Sequence, residues 1–279
     1  MHIIPLLFLY AAGIILIYYI LAFLFTRLCR FETTAMVFWP LGFTILAIAL
    51  ETMTYLWRGE IRSVSRFVTI FMVLWGLRLA RYLQKRRKRA KEEDFRFERL
   101  TTDAEGNHSH LHAFFRVHMT QALLTFFMAF PIIMANASPN PVIDPINMEG
   151  AELIGIAVGG PLWVVGFVLQ IVSDEELKNF KRRLENEGKV MRYELWRYSR
   201  HPNYLGELMM WIGIVVFVTL NTGDFGFLSV IALLPLFFLI FFATGIRPVE
   251  KYLENNLSDY KDYKRKTSML LPWFPRKAK

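Results

Sequence analysis

Seven long apolar runs, separated by short polar or basic segments, set the rhythm of the chain: 3–25, 35–57, 67–83, 114–136, 151–173, 203–221 and 226–246. A bilayer core of about 30 Å is crossed by roughly 20 apolar residues in a helix. The third run is short, and Arg78 interrupts it. Inside hydrocarbon the backbone must satisfy its own hydrogen bonds, so each run is expected to be a helix. Gly159-Gly160-Pro161 lies within the fifth run, and a kink is expected there because Pro161 removes a backbone donor. The first run begins apolar almost at once, with no basic n-region and no small-residue cleavage site after Ile20, so it reads as a retained span. The expected fold is all-α: a polytopic membrane bundle of seven transmembrane helices, forming one integral membrane domain over 1–279.

The loops orient this bundle. Segment 81–111 carries nine Lys/Arg, 175–201 eight and the tail 247–279 nine, whereas 137–149 and 222–225 carry none. Positive loops stay cytoplasmic. Seven spans then put the N-terminus outside and the basic tail in the cytoplasm; only loop 58–66, with Arg58, Arg62 and Arg66, runs against the rule. Composition agrees with a lipid environment: 54% of residues are hydrophobic and 15% aromatic, against about 45–50% apolar in soluble domains. The net charge of +9 is spread between apolar runs rather than over one soluble face, which excludes a nucleic-acid partner and leaves the bilayer. The basic run within 85–99 reads as a solvated, headgroup-facing segment. Cys29 is the only cysteine, so neither an intramolecular disulfide nor a thiol metal site is expected. The host membrane reads as a bacterial inner membrane, with the endoplasmic reticulum as the alternative.

Ionisable side chains within spans cost about 2.5–3.5 kcal/mol each near the bilayer centre on insertion scales, so they mark function. Here they are Glu51, Arg78, Arg116, His118, Asp174 and Glu207, with the amides Gln121 and Gln170 beside them. Arg78, Arg116, Asp174 and Glu207 fall in the inner halves of their spans and suggest one polar pocket open to the cytoplasm; snorkelling is the other explanation for the two arginines. Asp174, Lys178 and Lys181 lie at i, i+4 and i+7, on one helical stripe. An acid that accepts from a ribose or amide, followed by cations that meet phosphate, suits a nucleotide. An interfacial amphipathic helix has the same pattern. Pro202 suits the first turn of the next helix. That places Arg200 and His201 at a helix start, which attracts anions, and Asn203 and Glu207 one turn apart.

The run Arg200-His201-Pro202-Asn203-Tyr204-Leu205-Gly206-Glu207 resembles the signature of the steroid 5-alpha-reductase-like membrane enzymes, most closely their DUF1295 branch. The resemblance covers roughly 110–275. It takes in Gln121, Ser173-Asp174 with Lys178 and Phe180, Trp196-Arg197-Tyr198, and Gly245-Ile246-Arg247-Pro248-Val249-Glu250-Lys251. The pairs Asp259-Tyr260 and Asp262-Tyr263 and the run Leu271-Pro272-Trp273 complete it. The resemblance implies an NADPH-dependent oxidoreductase acting on CH–CH groups. Gln170, Asp174 and Lys181 would hold the cofactor from the fifth span, and Tyr198, Asn203 and Glu207 from the sixth. Arg247 with Tyr260 or Tyr263 would close the site, and Arg78 would match a family arginine in the third span. The cations at Lys181-Arg182-Arg183 would suit the 2′-phosphate. No Gly-x-Gly-x-x-Gly follows a strand, which excludes a soluble dinucleotide fold.

Family reductases polarise a substrate carbonyl with a span-two glutamate and a span-three tyrosine. This chain offers Glu51 for the first and has Trp75 at the second; Tyr55 lies one turn beyond Glu51. The expected activity is reduction of a C=C bond in a lipophilic steroid-, enone- or prenoid-like substrate entering from the bilayer. The alternative is an S-adenosylmethionine-dependent methyltransferase of the isoprenylcysteine or phospholipid type, related enzymes that share Arg-His-Pro-x-Tyr-x-Gly and a late Arg-x-x-Glu, here Arg247 and Glu250. A non-catalytic lipid-binding protein is the third reading.

Overall fold

The computed structural model describes residues 3–29, 32–89, 95–103, 105–138, 150–243 and 245–276. Among them there is no β-strand, only two isolated bridges. Among the described residues six helices are long and apolar enough to cross a membrane: Ile3–Leu28, Ala35–Arg58, Ser63–Lys88, Gly150–Lys181, Pro202–Asn221 and Gly226–Asn256. The bent pair His110–Met128 and Phe130–Ala137, whose axes differ by 42°, makes the number seven if it is counted as one span. The described residues of all seven apolar runs are therefore mainly helical. The short third run is extended at both ends by polar residues, from Ser63 to Lys88. Most of the basic-free loop 137–149, and residues 90–94 of the basic run, lie outside the described residues.

The helix is not broken at Pro161. Residues 155–159 form a single π turn leading into Pro161, and the helix continues as one 32-residue segment. A π turn absorbs an extra residue without ending the helix. The bend sits at Ala129, before Pro131, where the Ala129 N–H is shared between Thr125 O at 2.8 Å and Phe126 O at 3.2 Å. Pro131 lacks the donor that would have carried the helix through.

The chain divides into two compact units, Met1–Leu153 with Val218–Ala232, and Ile154–Phe217 with Leu233–Lys279. In the first, Ala35–Arg58 and Ser63–Arg89 form a hairpin turned by Gly59, whose φ of 72° is cheap only for glycine. Gly76 leaves room for Thr44, whose hydroxyl donates to Met72 O at 3.1 Å; a Cβ on Gly76 would lie 2.0 Å from Thr44 Oγ1. Buried Trp75 meets Phe43 edge-on, and Tyr19 bonds Thr125 at 2.8 Å.

In the second unit the helix Gly160–Lys181 is inverted relative to a soluble one. Trp163, Gly166, Gln170, Ser173 and Asp174 are buried, whereas Val164, Val165, Val168 and Val172 are exposed. Water would drive the valines inward; lipid lets them face out and makes the polar groups seek one another. This inversion is the structural signature of an integral membrane protein.

Candidate functional site

Four glycines build the site in the second unit. Gly159 faces Gly213 and Gly166 faces Gly206, so the helices Gly150–Lys181 and Pro202–Asn221 run antiparallel with their backbones touching. A Cβ at either Gly166 or Gly206 would lie 2.6 Å from the other's carbonyl oxygen. Small residues allow this approach, and in lipid polar side chains then bond across it. One turn further along, Gln170 Nε2 donates to Glu207 Oε2 at 2.5 Å, and Trp211 Nε1 donates to Glu207 Oε1 at 3.0 Å. A further turn on, Asn203 Nδ2 reaches Asp174 Oδ1 at 3.5 Å. Asn203 Oδ1 is buried with no hydrogen-bond partner among the described residues. A buried amide oxygen left unbonded costs about 1–3 kcal/mol, and such an atom is suited to a ligand's donor.

Beside this row lies a second cluster around Glu250. Its Oε1 accepts from Arg200 Nε at 2.8 Å and lies 3.0 Å from His201 Nε2, while Oε2 lies 3.0 Å from Lys264 Nζ. Arg200 also donates from Nη1 to Lys264 O at 3.0 Å and Thr267 O at 2.6 Å. Arg200, His201 and Glu250 are all buried. Burial pushes the His201 imidazole below its ordinary value of 6.5 despite the Glu250 contact, and the paired carboxylates Glu254 and Glu250 push Lys264 up. Tyr263 donates to Trp196 O at 2.5 Å and packs edge-on to Tyr260; burial raises both phenols. Trp196 in turn donates to Ser173 O at 3.1 Å. The turn carrying it begins at Glu194, a non-glycine residue with φ of 52°, a conformation held only when its surroundings enforce it.

The structure thus brings Gln170, Asp174, Asn203 and Glu207 into one row, and Arg200, His201, Glu250, Tyr260 and Tyr263 into an adjoining scaffold. Arg247 is exposed, its guanidinium 4.3 Å from the Phe242 ring centre, and it makes no hydrogen bond or ion pair with a described residue. Lys178 is paired with Glu175, and Lys181 is exposed. Tyr198 is half-buried between Arg197 and Phe274. Sequence reasoning passed over Trp211 and Lys264. The i+4 spacing from Glu207 was a legible signal for the first; nothing local points Lys264 at Glu250.

In the first unit, Glu51 accepts from Arg66 Nε at 2.6 Å, and Tyr55 is exposed. Arg78 lies 5.5 Å from the Tyr82 ring centre. Gln121 donates to Ala35 O at 3.5 Å, and its Oε1 is buried without a partner among the described residues. His118 is fully buried, with Nε2 3.3 Å from Thr26 Oγ1 and Nδ1 3.1 Å from Ala113 O; Arg116 is exposed. Among the described residues no group of three or more His, Cys, Asp or Glu is arranged to hold a metal ion.

Curated proteins similar to the chain include 3-oxo-5-alpha-steroid 4-dehydrogenase 1 of Mus musculus, 40% identical over 58 residues, which are 21% of this chain and 23% of the relative. The protein of the same name from Homo sapiens is 36% identical over 56 residues, 20% of this chain and 22% of the relative. The matched stretch therefore spans less than a quarter of these relatives. No solved structure matches. The family model described as "Protein of unknown function (DUF1295)" matches residues 22–267, nearly the whole of the chain, and this all-helical membrane protein belongs to that family.

Proposed function

We propose that the chain is a membrane-embedded, NADPH-dependent reductase of a C=C bond in a lipophilic substrate of steroid, enone or prenoid type. The observation that carries the reading is the partly buried row Asp174–Asn203 and Gln170–Glu207 between two membrane helices, with Asn203 Oδ1 lacking a donor. A structural polar pair would satisfy itself; this one leaves an acceptor open beside a carboxylate, which suits the amide and hydroxyl donors of a dinucleotide. The name of the partial relatives points to the same class of chemistry.

In this reading Asn203 and Asp174 accept hydrogen bonds from the cofactor. Gln170 and Trp211 hold Glu207 in place for the same purpose. Lys181, Arg182 and Arg183, at the end of the same helix, meet phosphate. Bound NADPH supplies a hydride, and the protein contributes position and electrostatics. Glu51, in its protonated form, is the group proposed to polarise or protonate the acceptor. Arg200, His201 and Glu250 act on the cofactor indirectly, by holding the turn that starts the Asn203 helix. The N-terminus is placed outside and the tail in the cytoplasm, where NADPH is available, in a bacterial inner membrane.

Purified protein is expected to be thermally stabilised by NADPH and to oxidise it in the presence of a suitable enone or sterol. Stabilisation by S-adenosylmethionine and not by NADPH would overturn the reading in favour of methyl transfer. Stabilisation by neither would leave a lipid-binding protein.

A further inference from the structure

The tail from the last helix, Tyr260–Lys266, onward divides its aromatic residues by environment. Tyr260 and Tyr263 are 2% and 5% exposed, whereas Leu271, Trp273 and Phe274 are 69%, 72% and 76% exposed. That exposure does not come from a loose backbone. Arg200 N donates to Ser268 O at 2.8 Å, Trp273 N to Tyr198 O at 3.0 Å and Arg276 N to Lys266 O at 2.9 Å. Ser199 Oγ donates to Leu270 O at 2.7 Å. Pro272 and Pro275 further restrict the strap. Three large apolar side chains are thus presented outward from a pinned backbone, and a contiguous exposed apolar patch signals a partner.

The position of the strap identifies that partner. Its anchors, Tyr198 to Arg200, immediately precede Pro202, the first residue of a membrane-spanning helix. The headgroup layer is about 5–7 Å deep on each side of the hydrocarbon core, and a helix rises about 1.5 Å per residue. A strap bonded to residues two to four positions before a span therefore lies at the headgroup level. Tryptophan prefers that level. Charge agrees: residues 257–276 hold five Lys/Arg and two Asp, a balance of +3. Arg276 is exposed, and so is Arg265, which lies 3.8 Å from Asp262 Oδ1 in an exposed pair that solvent weakens.

We propose that the strap Leu271–Arg276 is an interfacial anchor for anionic lipid headgroups: Leu271, Trp273 and Phe274 enter the bilayer surface while Arg265 and Arg276 pair with phosphate. Through Ser199 and Arg200 the anchor ties the start of the Asn203 helix to the membrane surface. It stands independently of the reductase reading.

The test compares the full-length protein with W273F in nanodiscs of phosphatidylcholine and phosphatidylglycerol, one lipid at a time carrying brominated acyl chains. The fluorescence that W273F lacks is expected to be quenched by brominated lipid and not by aqueous iodide. Quenching is expected to be about twofold stronger when the bromine is on phosphatidylglycerol, and R265Q combined with R276Q is expected to equalise the two lipids. Quenching by iodide alone would put the strap in water and overturn the proposal. Quenching by neither agent would mean that protein covers it, a second copy for example, with the same consequence. Equal quenching by both lipids in the unaltered chain would remove the anionic headgroup as the partner. Should W273F fail to assemble, an environment-sensitive fluorophore on L271C in a C29S background reads the same outcomes.

Discussion

At the residue scale, the burial of Asp174 beside Asn203 sets the first expectation. Asp174→Asn keeps the shape but removes the charge that strengthens a ligand's hydrogen bond. A bond to a charged group is worth about 1.5–3 kcal/mol, so NADPH affinity in a fluorescence titration is expected to fall about tenfold or more, with the fold unchanged by circular dichroism. Glu250 behaves differently, because Arg200, His201 and Lys264 converge on it. Glu250→Ala leaves the buried Arg200 guanidinium without its carboxylate, and breaking a buried pair costs about 3–5 kcal/mol. A large fall in Tm is expected even without ligand. His201 adds a pH dependence. Its folded pKa lies below the ordinary 6.5, so the unfolded chain binds the proton first as pH drops. Stability is then fully present above about pH 6.5 and declines with acidification until the folded pKa is passed. Thermal unfolding between pH 8 and 5 is expected to show this decline, and His201→Asn to flatten it.

At the element scale, the contact of two glycine pairs decides whether the row of polar side chains exists. Gly206→Val would push a branched side chain into the Gly166 carbonyl, which a Cβ alone would approach to 2.6 Å. Overpacking of this kind costs about 1–3 kcal/mol, and the helices must part to accommodate it. NADPH stabilisation is expected to disappear together with a drop in Tm, whereas Gly160→Ala, where a Cβ meets nothing within 4 Å, should be nearly silent. The bend at Ala129 and the π turn at 155–159 belong to the same scale. Proline announced a perturbation in each span; whether it became a bend or a π turn depended on packing that the local sequence does not express.

At the scale of the whole molecule, the charge of the loops predicts topology. Cysteines introduced at Glu185 and Asp224 in a Cys29→Ser background flank the helix Pro202–Asn221 on opposite ends. Membrane-impermeant maleimide on intact cells is expected to label the cysteine at 224 and not the one at 185, and inverted vesicles to reverse the pattern. The opposite result would invert the proposed orientation and place the candidate cofactor row on the side lacking NADPH.

The chain by itself determined the seven apolar runs, because spanning a bilayer demands length and hydrophobicity that local composition records directly. It also marked Gln170, Asp174, Asn203 and Glu207, since polar groups in lipid are too costly to be incidental, and spacing along a helix gives their face. What spacing does not give is distance between helices. That Gln170 meets Glu207, that Glu250 turns in to Arg200 while Arg247 turns out onto Phe242, and that Lys264 returns from the tail to complete the cluster were decided only by the tertiary structure. Each depends on backbones brought together over tens of residues, through the touching glycines and the folded-back strap, and no period in the sequence encodes that approach.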